Sequence, residues 1–285
     1  MKKLLFLLAL IVAAFSGCVE EGPSAEDLKT MMIDAVQDIE TVTFTMVTDQ
    51  TTTITNVTDS ETIITYSRGE GEVNMTAQAM KLFMVTTSKV GAAENVTMGV
   101  EMYMLEDALY MKIDGNWTKM TRLLPEGMLD QQNQLKMQME MLNNSVVELE
   151  GSEMIDGLDT YVLKVVPDMD AFSATMDKQM GSMSIVGMNL TDLYSSAEME
   201  WTTWLSKDSY LPLKIQVNTK MKMTPGMIGL PVEDVGDFDM LVESDSMVLY
   251  HDYNLPVVIE LPHEAKNATD MSTLLGMAAT VPVAK

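Results

Sequence analysis

The side chains that most often carry chemistry are scarce in this chain of 285 residues. It has one cysteine, Cys18, and two histidines, His251 and His263. One cysteine cannot form an internal disulfide, and zinc sites and nucleophile–histidine pairs need more Cys and His residues than these. His263 follows a proline near the end of the predicted fold and is interpreted as a surface residue. The sequence therefore predicts a protein that is not an enzyme and has no metal or other cofactor.

The charge balance excludes another class of function. The chain has 42 acidic and 18 basic residues, a formal net charge of −24, and no basic stripe that could neutralise phosphates. Acidic pairs such as Glu106-Asp107 and Glu233-Asp234 are typical of solvated loops in so acidic a chain. Hydrophobic residues make up 47% of the chain. We therefore expect a globular protein that does not bind nucleic acid.

The position of Cys18 predicts a lipid anchor. Two lysines precede twelve unbroken apolar residues, 4–15, and Ser16-Gly17 follow directly before the cysteine. A positive start, a short apolar stretch and small residues before a cleavage point are typical of a secretory signal, and twelve residues are too few to span a bilayer. Phe15-Ser16-Gly17-Cys18 resembles the lipobox of exported lipoproteins, with Phe in place of the usual Leu. An ordinary secretory signal with an incidental cysteine is the alternative.

A lipidated Cys18 implies a location outside the cytoplasm, at the cell membrane. Cleavage before Cys18 removes two lysines and leaves a mature charge of −26, which anionic head groups repel. The lipid chains, and not surface charge, would then hold the domain at the membrane. The predicted organisation is a signal peptide at 1–17, a tether at 18–24, a single domain at 25–263 and a C-terminal tail at 264–285.

Glycosylation motifs support an exported protein. The chain has eleven asparagines, of which seven open an Asn-X-Ser/Thr sequon, whereas chance predicts roughly two. Together with the lipobox, this excess predicts a glycosylated cell-surface lipoprotein of a prokaryote, most plausibly an archaeon. The seven predicted glycosylation sites are Asn56, Asn74, Asn95, Asn116, Asn143, Asn189 and Asn267.

The elements that follow alternate between two periodicities. A capping-box pattern at Ser24 opens a predicted amphipathic helix at 25–39. Alternation of apolar and polar residues then predicts five strands up to residue 113, two more at 145–154 and 158–166, and three long ones near 196–206, 209–222 and 239–251. Helical spacing predicts one helix after Pro125 and one after Asp168. The predicted fold class is α+β, with a large curved antiparallel sheet covered on its concave face by about three helices.

The order of these elements resembles a known superfamily. The segments 108–120, 155–168, 201–217 and 250–262, with the Gly157-x-x-Thr160-Tyr161 strand and the Trp204-Leu-Ser-Lys-Asp hairpin, are similar to LolA-like carriers and mycobacterial lipid-binding lipoproteins. The resemblance covers nearly the whole mature chain. It implies a half-open β-barrel whose concave face, covered by helices, holds acyl chains.

Methionine supplies a separate indication of a hydrophobic ligand. The chain contains 30 methionines, and Met is a flexible, polarisable residue that suits irregular apolar surfaces, although it can equally fill an ordinary core. We expect the second and third helices to border an apolar cavity against the sheet. The predicted cavity residues are Leu135, Met139, Leu142, Met169, Phe172, Met176, Met180 and Met183.

Three functions remain compatible with the sequence. The favoured prediction is a membrane-anchored lipoprotein that binds or carries a lipid or acylated ligand, with an unknown protein partner. The alternative is a glycosylated surface module without a small ligand. A minor alternative is Cu(I) binding by methionine thioethers, for which Met102-x-Met104 and Met221-x-Met223 place both sulfurs on one face of a strand.

Overall fold

A computed structural model describes residues 22–105, 108–121, 141–173, 196–228, 230 and 232–270. Within them, one large, open, curved sheet of twelve strands dominates, in the order β12-β6-β5-β4-β3-β2-β1-β11-β10-β9-β8-β7. All neighbouring strands are antiparallel except β12, which runs parallel to β6. The predicted α+β fold class with a large antiparallel sheet is confirmed.

The strand bounds lie close to those expected from alternation. Alternation predicts the second strand at 61–77, but it ends at Asn74 because Met75–Gln78 form a turn with Gln78 at a positive φ of 49°. The strands are β1 Thr41–Asn56, β2 Ser60–Asn74, β3 Ala79–Val90, β4 Val96–Leu105, β5 Ala108–Ile113, β6 Asn116–Thr121, β7 Ser145–Ile155, β8 Leu158–Pro167, β9 Ala197–Ser206, β10 Pro212–Met223, β11 Phe238–His251 and β12 Thr269–Asp270.

The first helix, α1, spans Ala25–Gln37 and begins with the predicted capping box. The Ser24 hydroxyl accepts a hydrogen bond from the Asp27 backbone N–H at 3.1 Å, and the Asp27 carboxylate accepts one from the Ser24 N–H. The Ser24 hydroxyl also donates to the Asp27 carboxylate at 2.7 Å, and this bond, followed by the one from the Ser24 N–H, holds the pKa of Asp27 below its ordinary value. The cap fixes the start of the helix at the end of the tether.

The packed core lies where α1 crosses one end of the sheet. Leu28 and Met32 of α1 are buried against Leu163 of β8 and Leu205 of β9. The buried Lys29 ammonium donates a hydrogen bond to the Ser145 carbonyl at the start of β7 and pairs with Glu26 at 2.7 Å. The core of α1 is therefore built with strands β7 to β10.

The C-terminal segment contacts strands β1, β2 and β6. A one-turn helix, α2 (Val232–Val235), precedes β11, and the chain after β11 accepts hydrogen bonds from Thr41 at Leu255 and from Asn74 at Val257. It then forms a 3₁₀ helix, His263–Asn267, that contacts β6, and ends as β12. The ordered sheet thus extends to Asp270, past residue 263, where the sequence places the end of the domain.

Candidate functional site

Strand register sorts the side chains of the sheet into two faces. Successive residues of a strand point to opposite faces, and directly paired residues share a face. Ile215 and Val217 of β10 pack on the α1 core, and they pair with Val248 and Ser246 of β11. The strand pairs that lead from β11 through β1 to β6 then show, for each of these strands, which residues lie on the same face as the α1 core.

The face that carries α1 is rich in methionine, and we call it the methionine face. Paired methionines occur on adjacent strands, such as Met80 with Met104 and Met102 with Met111. Phe44 and Tyr250, whose ring centroids are 6.4 Å apart, lie on the same face. The methionines of β1, β3 to β6 and β9 to β11 on this face are Met46, Met80, Met84, Met98, Met102, Met104, Met111, Met120, Met199, Met221, Met223 and Met240.

This face is almost free of charge, although the chain has 42 acidic and 18 basic residues. Within described strands β1 to β6 and β8 to β11, only Glu61 and Asp159 carry charge in register with it, and each is the second residue of its strand. The position of α1 in the core covers β7 to β10, whereas most methionines lie on β1 to β6. A large apolar surface therefore extends beyond the part of the sheet that α1 covers.

The opposite face, which we call the charged face, carries the ion pairs of the sheet, although apolar side chains such as Ile64 and Phe83 are also exposed on it. Lys220 pairs with Glu243 on the neighbouring strand at 2.8 Å, and Lys164 pairs with Glu200 at the same distance. The hydrogen bond and charge of each glutamate raise the pKa of its lysine partner. Such exposed pairs contribute little stability, about 0.2–1 kcal/mol each. Their position shows which side of the sheet faces water.

Two glycines of β2 bring the methionine face into close contact with its neighbours. Gly69 and Gly71 stand where side chains would otherwise project onto this face. The Phe44 ring occupies the space above Gly71, and the Met46 side chain lies over Gly69, where Met46 Cγ would be 3.2 Å from an added Cβ. Large side chains of β1 can therefore lie flat across β2 because β2 has none there.

The structure places three of the eight predicted cavity residues. Leu142 is buried in the packed core with α1, while Met169 and Phe172 are half-buried. Met169 lines a pocket of about 770 Å³ together with Met199, Thr219 and five acidic residues. A lining so rich in carboxylates does not suit an acyl chain. Leu135, Met139, Met176, Met180 and Met183 lie outside the described residues, and the predicted apolar cavity stays a prediction.

Sequence reasoning placed the predicted cavity methionines on helices and considered strand methionines only as copper ligands. The signal was present, because Met80, Leu82 and Met84 alternate with residues of the other face, as do Met98, Met102 and Met104. Period-two spacing identifies residues that share a face within one strand. It does not show that the faces of separate strands join into one surface, which depends on register.

The predicted modification sites are distributed over the turns. Asn56, Asn95, Asn116, Asn143 and Asn267 are exposed, and Asn74 is half-buried with its amide donating to the Val257 carbonyl at 2.8 Å. Cys18 and Asn189 lie outside the described residues. Glycosylation and lipidation stay predictions.

In the described part of the chain, no helix is long and apolar enough to cross a membrane. Nor do the described residues bring three or more His, Cys, Asp or Glu side chains together in a group that could hold a metal ion. Methionine sulfur does not belong to that set of ligands, so this result does not test the copper alternative.

The fold and the segregated faces define an α+β protein with one open sheet, one side of which is apolar. Residues 24–270 match the model of a family described as a family of unknown function (DUF6612), and the chain belongs to that family. No curated protein matches the sequence closely enough to count as a relative.

Solved structures with a similar arrangement have low sequence identity. The lipoprotein LppX of Mycobacterium tuberculosis is 12% identical, with 83% of this chain and 100% of that chain covered and a TM-score of 0.41. LprF of Mycobacterium bovis is 14% identical, with 85% and 99% covered and a TM-score of 0.40. A LolA-superfamily protein of Nitrosomonas europaea is 11% identical, with 84% and 96% covered and a TM-score of 0.24. Function is therefore inferred from the residues of this chain.

Proposed function

We propose that this protein is an exported, membrane-anchored lipoprotein that binds a ligand with acyl chains against the methionine face. The observation that carries the proposal is that, in the described strands, the interior of that face has no charged side chain, although the chain has a net charge of −24. A soluble sheet ordinarily places polar side chains wherever no other element covers it. Apolar surface that extends over several strands is typical of a ligand or partner site.

Methionine suits this task better than branched aliphatic residues. Its side chain has three rotatable bonds and a polarisable sulfur, so it adapts to chains of different length and unsaturation. Most methionines of the face, including Met84 and Met102, are only half-buried. Contact with an acyl chain would remove their remaining apolar surface from water, at about 25 cal/mol for each Å². The binding free energy would then come mainly from this burial.

A lipidated Cys18 would keep the site at its source of ligand. Residues 19–24 separate Cys18 from the start of α1, and six extended residues reach about 20 Å. The sheet would therefore stay near the membrane surface, where lipids are available. Extraction of the purified protein and mass spectrometry of the extract would identify a co-purified lipid.

A charge placed on the methionine face tests the proposal directly. Met84 lies on that face between Gly69 and Val100, while Met247 of β11 lies on the charged face between Val47 and Gln216. Both side chains are half-buried. We expect Met84→Glu to weaken binding of a fluorescent fatty acid methyl ester at least about tenfold, because a carboxylate opposes contact with an acyl chain. Met247→Glu is the matched control and should bind as the wild type does.

Thermal melts of both variants separate loss of binding from loss of folding. If Met84→Glu does not fold, Met98→Glu replaces it, because Met98 on the same face is 39% exposed and tolerates a charge better. Failure of the wild-type protein to bind the ester, or equal affinity of the Met84→Glu and Met247→Glu variants, would refute the proposal. The glycosylated surface module without a small ligand would then be the better account.

One arrangement favours Cu(I) as a second candidate ligand. Met104, which is 4% exposed, pairs directly with Met80 and shares its face with Met102, which in turn pairs with Met111. Opposite Cβ atoms in a sheet are about 4.5–5.5 Å apart, so the two sulfurs of each direct pair can approach one soft ion. Met104→Leu separates the two functions, because it removes a thioether and keeps the site apolar. Loss of anaerobic Cu(I) binding with unchanged ester binding would support a copper site.

A further inference from the structure

A band of polar side chains crosses the middle of the methionine face. Two rows of directly paired residues run across adjacent strands, and every member has a hydroxyl or amide group without charge. We call this set the hydroxyl band. The first row is Ser246 of β11, Thr48 of β1, Ser67 of β2 and Thr86 of β3, and the second is Thr219 of β10, Ser244 of β11, Gln50 of β1, Thr65 of β2 and Ser88 of β3.

The members of the band bond to one another across the strands. Thr48 and Ser246 hydroxyls are 2.9 Å apart, and so are those of Ser67 and Thr86. The Thr65 and Ser88 hydroxyls are 3.3 Å apart. These pairs satisfy part of the hydrogen-bonding capacity of each group, so the band can lie on an otherwise apolar face.

Each hydroxyl pair keeps unused hydrogen-bonding capacity. A hydroxyl has one donor and two acceptor positions, so a bonded pair retains one donor and several acceptor positions for a ligand. Along the strands, Met46 and Val248 flank the band on one side. On the other side Thr52, which accepts a hydrogen bond from the Gln50 amide at 3.1 Å, pairs with Val242, and the apolar pair Ile54 and Met240 follows. A ligand with an apolar chain and one polar group could therefore place its chain against the apolar residues and its polar group against the hydroxyl band.

The charges near the hydroxyl band determine which kind of polar group on a ligand can bind there. No lysine or arginine lies on the methionine face in the described strands β1 to β6 and β8 to β11. Asp49, Asp245 and Glu243 project from the opposite side of the strands that carry the band. These carboxylates and the net charge of −24 disfavour a phosphate or carboxylate at the band.

We propose that the hydroxyl band binds the uncharged polyol head group of the lipid ligand, either a glycerol or a sugar. This inference rests on the proposed function, because it assumes that acyl chains contact the methionine face. The band forms hydrogen bonds to the head-group hydroxyls, while the flanking residues contact the chain. The preferred ligand is thus a lipid with hydroxyls and without phosphate at its polar end.

Three probes with the same oleoyl chain test the proposal. Monooleoylglycerol has an uncharged glycerol, oleoyl lysophosphatidic acid has a phosphate on its glycerol, and methyl oleate has no hydroxyl. We expect the full chain to bind monooleoylglycerol at least about tenfold more tightly than the phosphate-bearing lipid. Thr48→Val should weaken binding of monooleoylglycerol several-fold and leave methyl oleate unchanged, since only the former bonds to the band.

Thr51→Val is the matched control, because Thr51 is half-buried on the same strand but on the charged face. It should bind all three probes as the wild type does. If Thr48→Val does not fold, Ser67→Ala takes its place. Equal binding of the uncharged and phosphate-bearing lipids, or a Thr48→Val variant with wild-type affinity for monooleoylglycerol, would overturn the head-group site. Failure of all three probes to bind would instead refute the proposed function itself.

Discussion

Replacement of Gly71 by alanine tests the register from which the methionine face was assigned. An added Cβ would lie 2.5 Å from Phe44 Cε1 and 2.9 Å from Cε2, and closer still to Cζ. Carbon atoms that do not share a bond are ordinarily about 3.5–4.0 Å apart at best contact. Because these atoms belong to a ring that also packs near Tyr250, the ring cannot yield without disturbing its neighbours.

The expected loss follows from two opposing contributions. Forcing a methyl group into a filled position costs about 1–3 kcal/mol. Removing a glycine from a strand interior gains about 0.5–1 kcal/mol, because the unfolded chain loses freedom. The net change in the free energy of unfolding is a loss of about 0–2.5 kcal/mol, centred near 1 kcal/mol, and 1 kcal/mol lowers Tm by roughly 2–4 °C in a protein of this size.

Gly99→Ala is a control from the same sheet. Its added Cβ would have no heavy atom within 4 Å, so this variant should be as stable as the wild type or more stable by about 0.5–1 kcal/mol. Urea unfolding followed by circular dichroism measures both. Gly71→Ala combined with Phe44→Leu should lose less than the sum of the single changes, because the smaller side chain relieves the clash. If Gly71→Ala proves as stable as Gly99→Ala, then Phe44 does not lie over Gly71 and the face assignment is wrong.

Two further outcomes follow from single residues. Cys18→Ser should move the protein from the membrane to the soluble fraction with an unchanged circular dichroism spectrum, and a processed variant that remained membrane-bound would contradict the anchor. Burial and the Glu101 hydrogen bond raise the pKa of Tyr103 from 10.0 to about 12. Since the unfolded chain loses this proton first, stability should fall as pH rises from 10 towards 12, and Tyr103→Phe should weaken that dependence; equal alkaline slopes in urea titrations of both proteins would exclude it.

Sequence patterns predicted those helices and strands whose bounds depend on residues nearby in the chain. The capping box at Ser24 and the alternation of Thr and apolar residues at 41–46 need only nearby residues, and both elements begin close to the expected positions. The last strand was not predicted, because Thr269 and Asp270 form it only by pairing with β6, about 150 residues earlier in the chain. A segment of two residues is too short to have a sequence pattern that indicates a strand, and its partner strand is far away in the sequence.

The candidate site depends even more on remote pairing. Thr48 and Ser246 are 198 residues apart in the chain, and their hydroxyls meet only because β1 pairs with β11. Helical spacing drew the sequence-based prediction to residues such as Leu142, which lies in the packed core instead of an open apolar surface. Threonine-rich strands indicated β-structure correctly, yet composition alone could not separate threonines of the hydroxyl band from those that face water, such as Thr45.

Register explains why the apolar face, the hydroxyl band and the charged face occur together. A shift of β1 by one residue would move Phe44, Met46 and Thr48 to the charged face and bring Asp49 onto the methionine face. Such a shift would place the Asp49 carboxylate against the hydroxyl band, on a face that otherwise has no charge there, and would break the Thr48–Ser246 hydrogen bond, both of which cost free energy. The charge pattern that we propose disfavours anionic ligands therefore also stabilises the register of the sheet. Substitutions that weaken strand pairing should for this reason reduce ligand selectivity before they unfold the sheet.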